Sequence, residues 1–81
     1  MATATPEAVE ARIVEALASF GPDIEQVTRE ATFEELDIDS LDLVELAQTI
    51  EIEFGVQISG DDARDLRTVA DVVDLVVARA A

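Results

Sequence analysis

Apolar residues along this 81-residue chain recur mostly at helical rather than strand spacing. Val9, Ile13, Ala16, Leu17 and Phe20 fall on one helical face. They follow a Thr5-Pro6 start that puts proline at the first helical position and Glu7 in the first turn. Gly21-Pro22 ends the run. Residues 22–39 mix polar and apolar positions without a clear period and read as one long connection. Inside it, Thr32-Phe33-Glu34-Glu35-Leu36 has the order of a capping box, which predicts a single helical turn. Phe33, Leu36 and Ile38 are expected to pin this loop to the core. A loop so long in so small a domain points to a function.

The strongest pattern begins at Ser40 and runs to Phe54, with Gly55 as the stop. At about 100° per residue, Leu43, Leu46, Ala47, Ile50 and Phe54 share a core stripe. Leu41, Val44 and Ile52 fall on the far side, interleaved with Glu45 and Gln48 and rimmed by Asp42, Glu45 and Glu51. Single exposed apolar residues mean little, but three on one face read as a docking strip. Val56-Gln57-Ile58 reads as an extended connector. Ser59-Gly60-Asp61-Asp62 starts a short helix ending near Leu66, with Ala63 and Leu66 inward. Thr68-Val69-Ala70-Asp71 opens a last helix that buries Val69, Val72, Val73, Val76 and Ala80. The predicted fold is all-α: three principal helices and one short one in a small bundle, a single domain over residues 1–81.

Composition removes whole classes of chemistry. The chain has no Cys, so it has neither a disulfide framework nor a thiol of its own. It has no His, which excludes an imidazole base, a His-based triad and a His-ligated zinc site. Residues 1–5 lack the basic and apolar regions of a signal peptide, and no run approaches the ~18 apolar residues of a membrane span. A cytoplasmic protein, monomeric and without a membrane span, is the expectation.

Charge adds a direction. Nineteen acidic residues against five Arg leave a net charge of −14, which repels nucleic acid and anionic membranes. No basic residue lies between Arg29 and Arg64, a window that holds many of the acids. Such a block can simply solvate a protein. Its concentration around Ser40 favours a steering surface for basic partners.

Asp39-Ser40-Leu41-Asp42 places a lone hydroxyl at the start of the best amphipathic helix, between carboxylates. The serine can cap that helix, or it can be a chemically addressable hydroxyl beside the docking strip. A calcium loop starting at Asp37 fails, because Leu41, Asp42 and Gln48 stand where a ligand, a glycine and a bidentate Glu are needed. No metal site is expected. A serine hydrolase fails for want of a base and a glycine-rich elbow. A phosphorylation site in an acidic helical adaptor stays open, since the nearby acids suit an acid-directed kinase.

The segment from Phe33 to Leu46, FEELDIDSLDLVEL, followed by Glu53-Phe54-Gly55-Val56, closely resembles the acyl carrier proteins. The resemblance extends over nearly the whole chain, from the first helix and long loop to the Thr-capped last helix. It implies a non-catalytic carrier, with Ser40 as the site where a phosphopantetheinyl transferase attaches 4′-phosphopantetheine from coenzyme A. Acyl groups would ride on that arm as thioesters, in fatty acid or polyketide biosynthesis. Asp39, Leu41, Asp42, Val44, Glu45, Gln48 and Ile52 match the surface read by acyltransferases, ketosynthases and other partners through basic patches. Fatty-acid carriers typically have Gly at the place of Asp37, often a small residue at Ile38 and an acid at Ile52, and Pro-Asp or Pro-Glu at Ser59-Gly60. These departures leave polyketide and specialised pathways open, D-alanyl carriers among them.

Overall fold

The computed structural model describes residues 5–80. Apart from Thr5, the amino-terminal segment read above for a leader lies outside the described residues. Four α-helices follow in order: α1 (Pro6–Ala18), α2 (Ser40–Phe54), α3 (Gly60–Asp65) and α4 (Val69–Ala80). The predicted all-α bundle of three long helices and one short helix is what forms.

α1 begins as its sequence prescribes, with Pro6 first in the helix and the Thr5 hydroxyl accepting the Ala8 N–H at 3.3 Å. It ends earlier than the Phe20 that the periodicity predicts. The Ser19 N–H is shared between the Glu15 and Ala16 carbonyls, each at 3.2 Å. Phe20 and Gly21 then donate three residues back, to Leu17 and Ala18. These three-residue bonds wind the last turn tighter and end the α-helix. Gly21 follows at φ 136°, a conformation that only glycine enters freely.

The connection carries a short 3₁₀ turn, Ile24–Gln26, which the hydrophobic pattern does not announce. The turn expected after Thr32 is present. Thr32 Oγ1 accepts the Glu35 N–H at 3.0 Å, and Glu35 Oε1 accepts the Thr32 N–H at 3.1 Å. Its exit is a Schellman closure: Ile38 N–H donates to Phe33 O at 2.9 Å and Asp37 N–H to Glu34 O at 3.2 Å. Asp37 takes the left-handed position of that closure, at φ 55°. Phe33, Leu36 and Ile38 are all buried, as expected.

The loop is also joined to the start of α4. Phe33 N–H donates to Arg67 O, while Val69 and Ala70 donate to Ala31 O and Arg29 O at 3.1 and 2.9 Å. Two N–H groups that a helix start leaves without an intrahelical partner are thereby satisfied by loop carbonyls. Asp71 completes the accounting, accepting from the Arg67 and Thr68 N–H groups at 2.9 and 3.1 Å.

A single hydrophobic cluster unites the described residues. α1 contributes Val9, Ile13 and Leu17, and α4 contributes Val69, Val72, Val73 and Val76, each almost wholly excluded from solvent. Burial of each such side chain favours folding by about 1.5–3 kcal/mol. α2 adds Leu46, Ile50 and Phe54. Its stripe is narrower than the periodicity predicts, because Leu43 and Ala47 are only half-buried. Both border a groove, from whose edge Leu43 also packs against the core. Ala80 is likewise half-buried.

Candidate functional site

The start of α2 is built by Asp39, in extended backbone at φ −91°, whose Oδ1 accepts the Asp42 N–H at 2.9 Å. Asp42 reaches back toward the Asp39 N–H at 3.4 Å, the longer half of a capping box. The N-cap is therefore Asp39. Ser40, read from sequence as a possible cap, is the first helical residue instead. Its side chain is exposed and its hydroxyl makes no hydrogen bond to another described residue. By contrast, the Thr32 and Ser59 hydroxyls are engaged with Glu35 and Asp62.

The far side of α2 follows the predicted phase. Leu41, Val44 and Ile52 are 73%, 54% and 79% exposed. Glu45 and Gln48 are exposed between them, and Asp42 is half-buried beside Asp39. None of Asp39, Asp42 or Glu45 forms an ion pair among the described residues. Four of the five arginines pair elsewhere: Arg12 with Glu53, Arg29 with Glu10 and Asp74, Arg79 with Asp62, and Arg64 loosely with Asp61 at 3.6 Å. The neighbourhood of Ser40 thus keeps its negative charge uncompensated.

Sequence reasoning missed one part of the site. A largely apolar groove of about 810 Å³ opens between α2 and α3, with Ser40 on its lip and Ile50 and Val72 among its lining. Val44 and Gln48 belong to both the exposed strip and the groove edge. The opposite wall comes from the connector and α3, including Ile58 and Ala63. The inward placement of Ala63 and Leu66 was legible from spacing; the space they leave beside α2 was not.

Residues 11–76 match the family described as "Phosphopantetheine attachment site" (PP-binding). The chain belongs to this family. Its cofactor is 4′-phosphopantetheine, joined covalently to a serine. As a phosphopantetheine carrier domain, the protein engages transferase and synthase enzymes. The fold suits that group: an exposed, uncommitted serine hydroxyl stands at a helix start, next to an apolar groove. No helix among the described residues is long and apolar enough to cross a membrane.

Proposed function

We propose that Ser40 is the attachment site and that the protein carries acyl intermediates as thioesters in fatty acid or polyketide biosynthesis. The observation that carries this reading is the division of labour at the start of α2. Asp39 holds the helix, so the Ser40 oxygen is left free to react. In the transfer, that oxygen bonds to the pantetheine-side phosphorus of coenzyme A and the pyrophosphate bond breaks. The leaving group is 3′,5′-ADP. The serine proton passes to a base, and this chain has no imidazole to serve as one. When bound, the arm supplies the thiol that the sequence lacks.

The rest of the chain acts by position. Residues 1–81 serve as one carrier domain on which other enzymes act, in the cytoplasm, rather than as a catalyst. Asp39, Asp42 and Glu45 steer transferases, acyltransferases and ketosynthases that present basic patches. Leu41, Val44, Gln48 and Ile52 supply the contact surface on which those enzymes settle. The groove beside Ser40 shelters the apolar part of the cargo, with Ile50 on its lining; Phe54, although on the same helical stripe, does not border it.

Intact mass after incubation with coenzyme A and a phosphopantetheinyl transferase tests the reading. One phosphopantetheine is expected on the wild-type chain and none on Ser40→Ala. Labelling that survives the substitution moves the site elsewhere. Absence of any gain leaves the phosphorylated adaptor as the better reading.

A further inference from the structure

α3 is the least anchored helix of the bundle. None of its six residues is buried, whereas the other α-helices each bury three or four. Its apolar attachment comes mainly from its flanks, through the partly buried Ile58 and Leu66. Yet α3 forms a wall of the groove that faces α2.

One guanidinium from the last turn of α4 reaches that wall. Arg79 donates from both terminal nitrogens to the Asp62 carboxylate, at 2.6 and 2.7 Å. It also donates to the Gln57 carbonyl at 3.0 Å. Asp62 Oδ2 in turn accepts the N–H and hydroxyl of Ser59, at 3.0 and 2.9 Å. A single side chain therefore ties α4 to the connector and to the first turn of α3. Arg79 and Asp62 both border the groove. A planar bidentate fork holds orientation as well as distance, which a looser apolar contact does not.

Resting on the carrier reading above, we propose that Arg79, through Asp62 and the Gln57 carbonyl, holds the movable wall of the groove and so sets the length of acyl chain that the protein shelters. On the α2 side the groove is backed by Leu46 and Ile50, which are locked in the core. A longer chain is accommodated at the less anchored wall, by displacing α3, and the fork opposes that displacement. Arg79 and Asp62 are thus specificity-determining residues outside the exposed strip of α2.

The test compares wild type, Arg79→Met and Arg79→Lys. In the protein without its arm, amide exchange at residues 60–66 is expected to rise about tenfold in Arg79→Met, with α1 and α4 unchanged. Arg79→Lys, which keeps the charge but not the fork, should fall between. Each protein is then loaded with saturated acyl groups of graded length, and the thioester is challenged with hydroxylamine. Greatest protection should move to longer chains in Arg79→Met and part-way in Arg79→Lys. Equal α3 exchange in Arg79→Met and wild type would overturn the latch. Faster exchange with an unmoved length profile would show a merely structural tie and overturn its role in cargo choice. If the wild type takes no phosphopantetheine, the carrier reading fails first, visibly by mass, and the proposal falls with it. Should Arg79→Met lose its helical circular dichroism, Asp62→Asn, which keeps an acceptor for Ser59, replaces it in both measurements. The same results then support or overturn the latch.

Discussion

The Asp39 carboxylate accepts the backbone N–H of Asp42 at 2.9 Å, and this contact fixes the start of α2 without drawing on Ser40. Removing a helix cap costs about 0.5–2 kcal/mol. Asp39→Ala should therefore destabilise by about that amount in urea titration. Ser40→Ala should stay within about 0.5 kcal/mol of wild type. Equal losses from the two substitutions would mean that the serine shares the cap.

Asp37 sits in the left-handed position of the turn before α2, at φ 55°. An L-residue is strained there, although Asp tolerates it better than most. Asp37→Gly should stabilise by about 0.5 kcal/mol, after allowing for the greater freedom that Gly gives the unfolded chain. Asp37→Val should destabilise. Thermal midpoints report both, at about 4–8 °C per kcal/mol for a domain of this size. A midpoint lowered by glycine would show that Asp37 makes a compensating interaction.

Ile50 and Ile52 share a helix and differ in everything else, one being 1% and the other 79% exposed. Ile50→Ala should cost about 2–5 kcal/mol. Ile52→Ala should leave stability within about 0.5 kcal/mol while changing transfer rates with candidate partner synthases. The opposite ranking in a denaturant titration would contradict the phase of α2.

Glu45→Lys tests steering. Glu45 is exposed on the strip and faces away from the core, so the fold should be unaffected. Modification by the transferase should slow at low salt, and the gap from wild type should close once the screening length falls to about 8 Å. Identical kinetics at all salt concentrations would leave the acids a purely solvating role.

Acid sensitivity follows from three carboxylates held below their usual range. Asp62 is lowered by Arg79, then by the Ser59 N–H and hydroxyl. Glu35 is lowered by the Thr32 N–H and hydroxyl, and Asp71 by the Arg67 and Thr68 N–H groups. A depressed folded pKa adds stability that is present above the unfolded value, about 3.9 for Asp and 4.3 for Glu, and lost as pH falls through the folded value. At ionic strength high enough to screen the −14 charge, the thermal midpoint should be flat from neutrality to about pH 5 and drop below about pH 4. Arg79→Met should make the drop shallower. A midpoint that rises below that pH would contradict this sign.

Most of the helical layout was legible because each element carries its own local signal. Thr5-Pro6, Thr32 with Glu35, and Thr68 with Asp71 all perform the capping their types and spacing imply. The valines of α4 and the exposed strip of α2 follow from period alone. What stayed hidden was one local choice and two non-local arrangements. Nothing near Ser40 says whether it or Asp39 caps, since both types can. The groove depends on how far α3 stands from α2, and α3 is tied by Arg79, a residue distant in sequence. Likewise, the pairing of residues 29–33 with 67–70 leaves no periodic trace in either segment.

That pairing has a temporal consequence. The carbonyls of Arg29 and Ala31, deep in the connection that leads to Ser40, bond to amides at the head of α4. On a ribosome, the Asp-Ser-Leu segment emerges well before those amides do. The loop can form its own turns at once, but these two carbonyls lack their partners until α4 has been synthesised and docks. Closure of the connection that precedes Ser40 thus waits on a helix that follows it in the chain.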